Sequence, residues 1–313
     1  MTMHKRISSA LVAGLLVAGS WAGAAQAQEE LRIGTASLGG AFYPVGQGIA
    51  NLVSEHVDGV SMVPVVTQGS VQNPRLVDSG ETDLGITNAN LLFLAVNGEK
   101  PYPGKMEIAP LGALHPSILH IVTLDGSPIE TFADLKGKRL AVGPAGGGTL
   151  SFLNRLLEAY DMTPGDITPS FLSYADGFSQ LSDGNVDAAL ALSGYPSSAV
   201  MQTEATNKLK FVAIDDAKLA AILEKYPYYS KVTLPKDVYN LDGDAIVLGV
   251  NNVLIAPASM DDERAYAITK AVYDHLDAFA AENANAKQID PAQSRELAVP
   301  LHPGAQRYFD ETK

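Results

Sequence analysis

Two hydrophobic periods alternate along this chain. Short apolar runs of the strand kind occupy residues 32–36, 60–66, 84–87, 140–142, 168–173, 188–192 and 209–214. Between them lie segments whose apolar residues recur every three to four positions. One follows residue 41, with Val45, Ile49, Leu52, Val53 and His56 on a single face. Another follows residue 149, with Leu150, Leu153, Leu156 and Leu157. Further helices are expected over 70–77, 89–96 and 216–225. The longest is expected over 261–282, with Ile268, Val272, Leu276 and Phe279 on one stripe. Strands that alternate with helices predict parallel α/β sheets. Two apolar stretches are longer than ordinary strands, 114–124 and 245–256, the second broken by Asn251-Asn252. They are expected to cross between two lobes, one made of 28–123 plus 248–313 and the other of 124–247, with the hinge near Thr123 and Gly249. Tyr226-Pro227-Tyr228-Tyr229-Ser230 reads as a loop near that hinge.

The turns between these elements carry the chemistry. The strand ending at Val142 runs into Gly143-Pro144-Ala145-Gly146-Gly147-Gly148, and Thr149 stands where a helix cap belongs. Such a loop aims backbone N–H groups and the positive end of a helix dipole at whatever faces it, which suits an anion. Ser37-Leu38-Gly39-Gly40-Ala41 repeats the design after the first strand. Each loop-and-helix unit is followed by a turn with glycine and an aspartate leading into a strand, at residues 79–86 and 183–190. Two copies suggest two lobes of like construction facing each other across a cleft for a small anion.

Residues 1–27 have the makeup of a secretory leader: Lys5 and Arg6, an apolar stretch broken by Gly14, Gly19 and Ser20, and Ala25-Gln26-Ala27 as a cleavage site. The expected location is therefore the periplasm, with cleavage after Ala27. Removing 27 of the 313 residues leaves 286, enough for two modest domains. The net charge is −13, and the leader takes two basic residues with it, leaving −15. Nucleic acid is thereby an unexpected partner, because phosphate contacts need clustered Lys and Arg. There is no cysteine, so disulfides, thiolate chemistry and a lipid anchor at the cleavage site are not expected. No nucleotide-loop, nucleophile-elbow or zinc-protease signature occurs. The histidines lack metal-ligand spacing; His115 and His120 read as structural. No metal or cofactor is expected.

Four segments carry a family resemblance. Residues 39–46 (GGAFYPVG), 67–73 (TQGSVQN), 143–149 (GPAGGGT) and 300–305 (PLHPGA) resemble, in order, motifs of the TAXI family of TRAP-transporter solute receptors. The resemblance covers essentially the whole mature chain. It implies a two-lobed periplasmic binding protein of the Venus-flytrap kind, type II-like, with two hinge strands. It also implies a monomeric receptor that hands a small carboxylate, an organic acid or acidic amino acid, to membrane subunits, large and small or fused. Asn88-Ala89-Asn90 stands where the family shows Gln-Ser-Asp, and Gly147 replaces a serine. The family's commoner ligands, glutamate and 2-oxoglutarate, therefore do not carry over.

Both lines of reasoning select the same residues. The N–H groups of Gly39, Gly40, Ala41, Gly146, Gly147 and Gly148 are expected to hold carboxylate oxygens, helped by the Ser37 and Thr149 hydroxyls. Tyr43 is expected as an aromatic wall. Gln68, Ser70, Asn73, Asn88 and Asn90 are expected as polar groups of the first lobe. Ser193 and Tyr195 form the far wall, with Tyr174 and Phe178 nearby. Arg155 and Arg75 lie inside helices and read as packing or surface pairing. The competing readings are an enzyme acting on a small anion, which needs a base or nucleophile in the cleft, and the binding component of another transporter or a sensor.

Overall fold

The computed structural model describes residues 28–312; the leader expected over 1–27 lies outside the described residues. Ten strands form one continuous mixed sheet. In chain order they are β1 (Glu29–Gly34), β2 (Val60–Val65), β3 (Leu84–Asn88), β4 (Ile108–Leu124), β5 (Arg139–Ala141), β6 (Thr168–Ser170), β7 (Ala188–Ser193), β8 (Leu209–Phe211), β9 (Ser230–Leu234) and β10 (Ala245–Pro257). The helices are α1 (Phe42–His56), α2 (Asn73–Asp78), α3 (Ala89–Asn97), α4 (Thr149–Ala159), α5 (Tyr174–Ser182), α6 (Ser198–Glu204), α7 (Asp216–Lys225), α8 (Asp262–Tyr273), α9 (Leu276–Glu282) and α10 (Pro303–Glu311), with short 3₁₀ turns between some of them.

The sheet order is β2-β1-β3-β10-β4-β7-β5-β6, with β8 on β4 and β9 on β10. β1 lies parallel to β2 and β3, and β5 parallel to β6 and β7, as strand–helix alternation requires. β4 and β10 run antiparallel to each other and exchange neighbours along their length. β10 pairs with β3 from Asn252 onward and with β9 up to Gly249. β4 takes up β7 from Ile118.

The core divides at the same place. Leu111 and Leu114 of β4 and Leu254 and Ala256 of β10 pack with Ile33, Val45, Ile49 and Val272. Leu119 and Ile121 of β4 and Leu248 and Val250 of β10 pack with Phe132, Phe152, Leu156 and Leu190. This is a mixed α/β fold of the two-lobed periplasmic-binding-protein type, with two long strands running through both halves.

Several expected elements shift. β4 begins at Ile108 rather than 114, and α2 begins at Asn73 rather than Ser70. The helix expected over 261–282 is two helices: α8 ends at Tyr273, Asp274 is its C-cap, and His275 leaves helical geometry at φ −115°. The apolar stripe keeps its period across the break, so the pattern hides it. The bend seats the Phe279 ring directly over Gly48 of α1. It also stacks His275 on His56, with ring centroids 3.6 Å apart, a pairing that their spacing in the sequence does not announce. Among the described residues no group of three metal-ligating side chains forms. Asp215 and Asp261 cap α7 and α8 with their side chains, as acids at helix starts do.

Candidate functional site

The two glycine-rich loops come from opposite halves and meet. Between them is a small cavity of ≈ 10 Å³, room for about one water molecule with the halves in contact. Ser37, Gly40, Ala41 and Phe42 border it from the first loop, and Pro144, Gly147 and Gly148 from the second. Gln68, Gly69 and Ser70, Tyr174 and Leu192 complete the wall. Two helices begin there. α1 starts after Ala41 and α4 after Gly148, and neither has a side-chain cap or an acid in its first turn. The first N–H groups of a helix lack intrahelical partners, so both ends present donor-rich, partly positive surfaces to one small space.

Two side chains inside this region have polar atoms left over. Ser37 is 7% exposed and Asn88 1% exposed. Ser37 Oγ and Asn88 Oδ1 have no hydrogen-bond partner among the described residues. Asn88 occupies the N-cap position of α3 yet makes no cap bond. Its Nδ2 donates to Asn252 Oδ1 at 2.8 Å, and its Oδ1 crowds the place where a Cβ on Gly148 would stand. Asn252 in turn donates to the His115 carbonyl at 2.6 Å and to Ser117 Oγ at 2.9 Å. An amide chain thus runs from the strand crossing to the cavity. Asn252 was not among the expected site residues; the only hint was a polar pair interrupting an apolar run.

The halves are bonded across the cleft. Ala41 N–H donates to Ser193 Oγ at 2.9 Å. The Gly39 carbonyl accepts from Ala199 N–H at 3.0 Å and from Ser197 Oγ at 2.9 Å. The Gly146 carbonyl accepts from Val71 N–H at 3.1 Å. Close approach explains the glycines. Gly39 has φ +95°, and a Cβ there would stand 2.7 Å from Ala175 N; a Cβ on Gly40 would stand 2.9 Å from the Tyr174 ring.

These contacts redistribute the expected roles. The amides of Ala41 and Gly147 are engaged within the protein, the latter on the Pro144 carbonyl at 3.0 Å. Thr149 does not cap α4; its hydroxyl meets Tyr174 Oη at 2.7 Å and accepts from Leu192 N–H at 3.3 Å. Tyr174 therefore acts as a buried brace, and burial pushes its hydroxyl pKa up. Tyr43 is half-buried on the first turn of α1 and does not border the cavity; its neighbour Phe42 does. Asn73 is fully buried and bonds the carbonyls of Gly34, Thr35 and Ile86, tying β1 to β3. Gln68 is exposed at the mouth. Phe178 belongs to the core. Tyr195 packs beside that core, and its carbonyl accepts from Gln288 Nε2 at 2.5 Å. Asn90 borders a different groove. Arg155 lies 3.6 Å from Glu158 and over the Tyr226 ring at 4.3 Å, the surface pairing expected of it.

A histidine stands closer than expected. His115 is fully buried, its ring meets Phe42 edge-on at 6.1 Å, and neither ring nitrogen has a partner among the described residues. Burial pushes its pKa down to about 3, so it is neutral at ordinary pH. His120, bonded to Tyr239 Oη at 2.9 Å, is pushed down to about 4 by burial and serves structurally.

Comparison with known proteins corrects the family resemblance. A putative aliphatic sulfonates-binding protein of Escherichia coli is 29% identical over 210 residues, 63% of this chain and 60% of that protein. The aligned stretch is thus under two thirds of the relative's length. Among solved structures, a putative L-cystine ABC transporter protein from Listeria monocytogenes matches with TM-score 0.52 and 13% identity, over 84% of this chain and 99% of that one. The periplasmic aliphatic sulphonate binding protein of E. coli has TM-score 0.46 and 19% identity, over 90% and 83%. None of these is a TAXI receptor. The motifs behind that resemblance are short glycine loops at helix starts, whose geometry many binding proteins need. The family model that matches, over residues 33–312, has a different name: the chain belongs to the NMT1-like family.

Proposed function

We propose that this protein is the solute-binding component of an ABC-type transporter and closes its two lobes around a small organic anion with a sulfonate head. The observation that carries the reading is the pair of uncapped helix starts, α1 and α4, brought from opposite halves to one polar cavity. The orphaned Ser37 hydroxyl, a donor, stands beside them. Among the described residues no Lys or Arg borders that cavity, so N–H dipoles and hydroxyls take the place of a counter-charge. A sulfonate suits them: it carries three acceptor oxygens, stays ionised, and needs no acceptor from the protein. The sulfonate-binding relative supports the same ligand class. The setting is periplasmic, as for the sulphonate binding protein of E. coli. The relatives are named as binding and transport proteins, which sets the enzymatic alternative aside.

In this reading the lobes are residues 28–123 plus 248–313 and residues 124–247, and they close about β4 and β10. The change of strand partners between Pro116 and Ile118 and between Gly249 and Asn252 supports that hinge. Calorimetric titration with ethanesulfonate, propionate and neutral ethanesulfonamide tests the ligand. Ethanesulfonate is expected to bind best and the sulfonamide not at all. At a hundredfold excess over Kd it should stabilise the fold by about 2.7 kcal/mol. Binding of the sulfonamide equal to that of ethanesulfonate would overturn the anion cradle.

A further inference from the structure

A second groove opens between the halves beside the strand crossings, with a volume of ≈ 520 Å³. Asn90 and Lys100 border it from one half, and Arg155, Tyr228 and Tyr229 from the other. Among the described residues no carboxylate lines it, in a chain of net charge −13. Its two cations are at most partly neutralised within the protein. Glu158 lies 2.6 Å from Lys225 and 3.6 Å from Arg155, so one carboxylate serves two cations. Lys100 has no ion pair among the described residues. Glu99 acts on Tyr228 from the rim without bordering the groove.

The floor is polar and incompletely bonded. Asn90 is 2% exposed, and its Nδ2 reaches Tyr229 Oη only at 3.5 Å, a weak contact. Asn90 Oδ1 has no partner among the described residues. An unpartnered buried amide oxygen is costly, and a donor supplied from the groove would offset that cost. Burial raises the hydroxyl pKa values of both Tyr228 and Tyr229, and the Arg155 charge opposes this. The tyrosines are thus neutral, and both hydroxyls face Arg155.

We propose that this groove is a second ligand site, for a hydroxylated aromatic acid. Lys100 and Arg155 meet the acid group, the planar guanidinium suiting two carboxylate oxygens. The Tyr228 ring packs on the aromatic body, and the ligand hydroxyl donates to Asn90 Oδ1. Its walls belong to both halves, so occupancy would tie them together. The inference rests on the two-lobed reading and not on the identity of the ligand in the deep cavity.

The test is calorimetric titration of the mature chain with 4-hydroxybenzoate. Arg155→Gln is expected to weaken its binding about tenfold, the order of one lost hydrogen bond to a charged group. Asn90→Ala is expected to weaken it severalfold. Gly148→Ala, or Ser37→Ala if the first variant does not fold, is expected to leave 4-hydroxybenzoate affinity unchanged while weakening ethanesulfonate. Arg155→Gln should leave ethanesulfonate unchanged. The proposal is overturned if 4-hydroxybenzoate gives no binding heat. It is equally overturned if its affinity falls with Ser37→Ala and ignores Arg155→Gln, which would put it in the deep cavity. Loss of ethanesulfonate binding alone would count against the deep site and leave this one standing.

Discussion

The two glycine-rich loops look alike in sequence and do different work. The loop before α1 is a docking surface. Its Gly39 carbonyl and Ala41 amide bond to Ser197, Ala199 and Ser193 of the other half, and Gly40 lies against the Tyr174 ring. The loop before α4 is looser across the cleft, offering the Gly146 carbonyl to Val71 and Gln72. Its last glycine, Gly148, faces Asn88, Ser70 and Leu192 at the cavity itself. The lesson is that a glycine run marks close approach without saying to what. One loop approaches protein, and the other leaves room beside the orphaned polar atoms.

The largest expected effect separates the loops by pH. The first loop rests on His115 through Phe42, whereas no titratable group other than Tyr174 borders the second. A buried histidine with a lowered folded pKa binds fewer protons than its unfolded form. Its stabilising contribution is complete above about pH 6.5 and is lost as pH falls toward the folded value. Denaturant titrations should show stability falling between pH 6.5 and 4, by on the order of 3 kcal/mol for His120 and at least as much for His115. His115→Phe should flatten that slope. Unchanged slope would mean the ring is solvated and the first loop is not acid-sensitive.

Within the second loop, Gly148 and Gly147 should differ sharply. A Cβ on Gly148 would stand 2.8 Å from Leu192 Cδ2 and collide with Asn88, filling the cavity. One on Gly147 would meet Pro144 O at 3.1 Å and Gln68 O at 3.3 Å, backbone atoms of the rim that need give only slightly. Gly148→Ala is expected to weaken ethanesulfonate about a hundredfold, roughly 2.7 kcal/mol. Gly147→Ala should cost severalfold at most. Equal losses in calorimetry would show that the whole loop, not one position, shapes the site.

Smaller effects should separate affinity from stability. Thr149→Val removes a hydroxyl bonded to Tyr174 and is expected to cost about 1 kcal/mol of stability with little change in affinity. Ser37→Ala removes an unpartnered hydroxyl and is expected to lower affinity severalfold with stability unchanged or slightly raised. Thermal melts with and without ethanesulfonate read both quantities. The opposite pattern, with Thr149 governing affinity, would restore Thr149 as a ligand contact and make the loops equivalent after all.

Strand and helix placement was largely legible, because burial on one face or both imposes period and run length locally. Asp216–Lys225 and the starts of β7 and β10 are examples. The α8–α9 break was not, since an apolar stripe can continue through a bend. Nor was the choice of Phe42 over Tyr43 at the cavity, because one residue on a helix turns a side chain by about 100° and either ring satisfies the pattern. The carboxylate receptor suggested by four short motifs gave way to a different family, since such loops report backbone geometry rather than ligand chemistry.

The amino-acid order by itself determined the alternating α/β elements, two long crossing strands and two glycine loops opening helices. These follow from interactions between residues near in sequence: side-chain period, chain stiffness and the freedom of glycine. Only the tertiary structure decided which polar atoms remain unspent. Thr149, Asn73 and the Ala41 amide were equally good donors or acceptors on paper, and each found a partner in the folded protein. Ser37 Oγ, Asn88 Oδ1 and Asn90 Oδ1 did not. A hydrogen-bonding group contributes to a site only after the rest of the protein has declined it, and that depends on contacts between residues as far apart as Asn88 and Asn252.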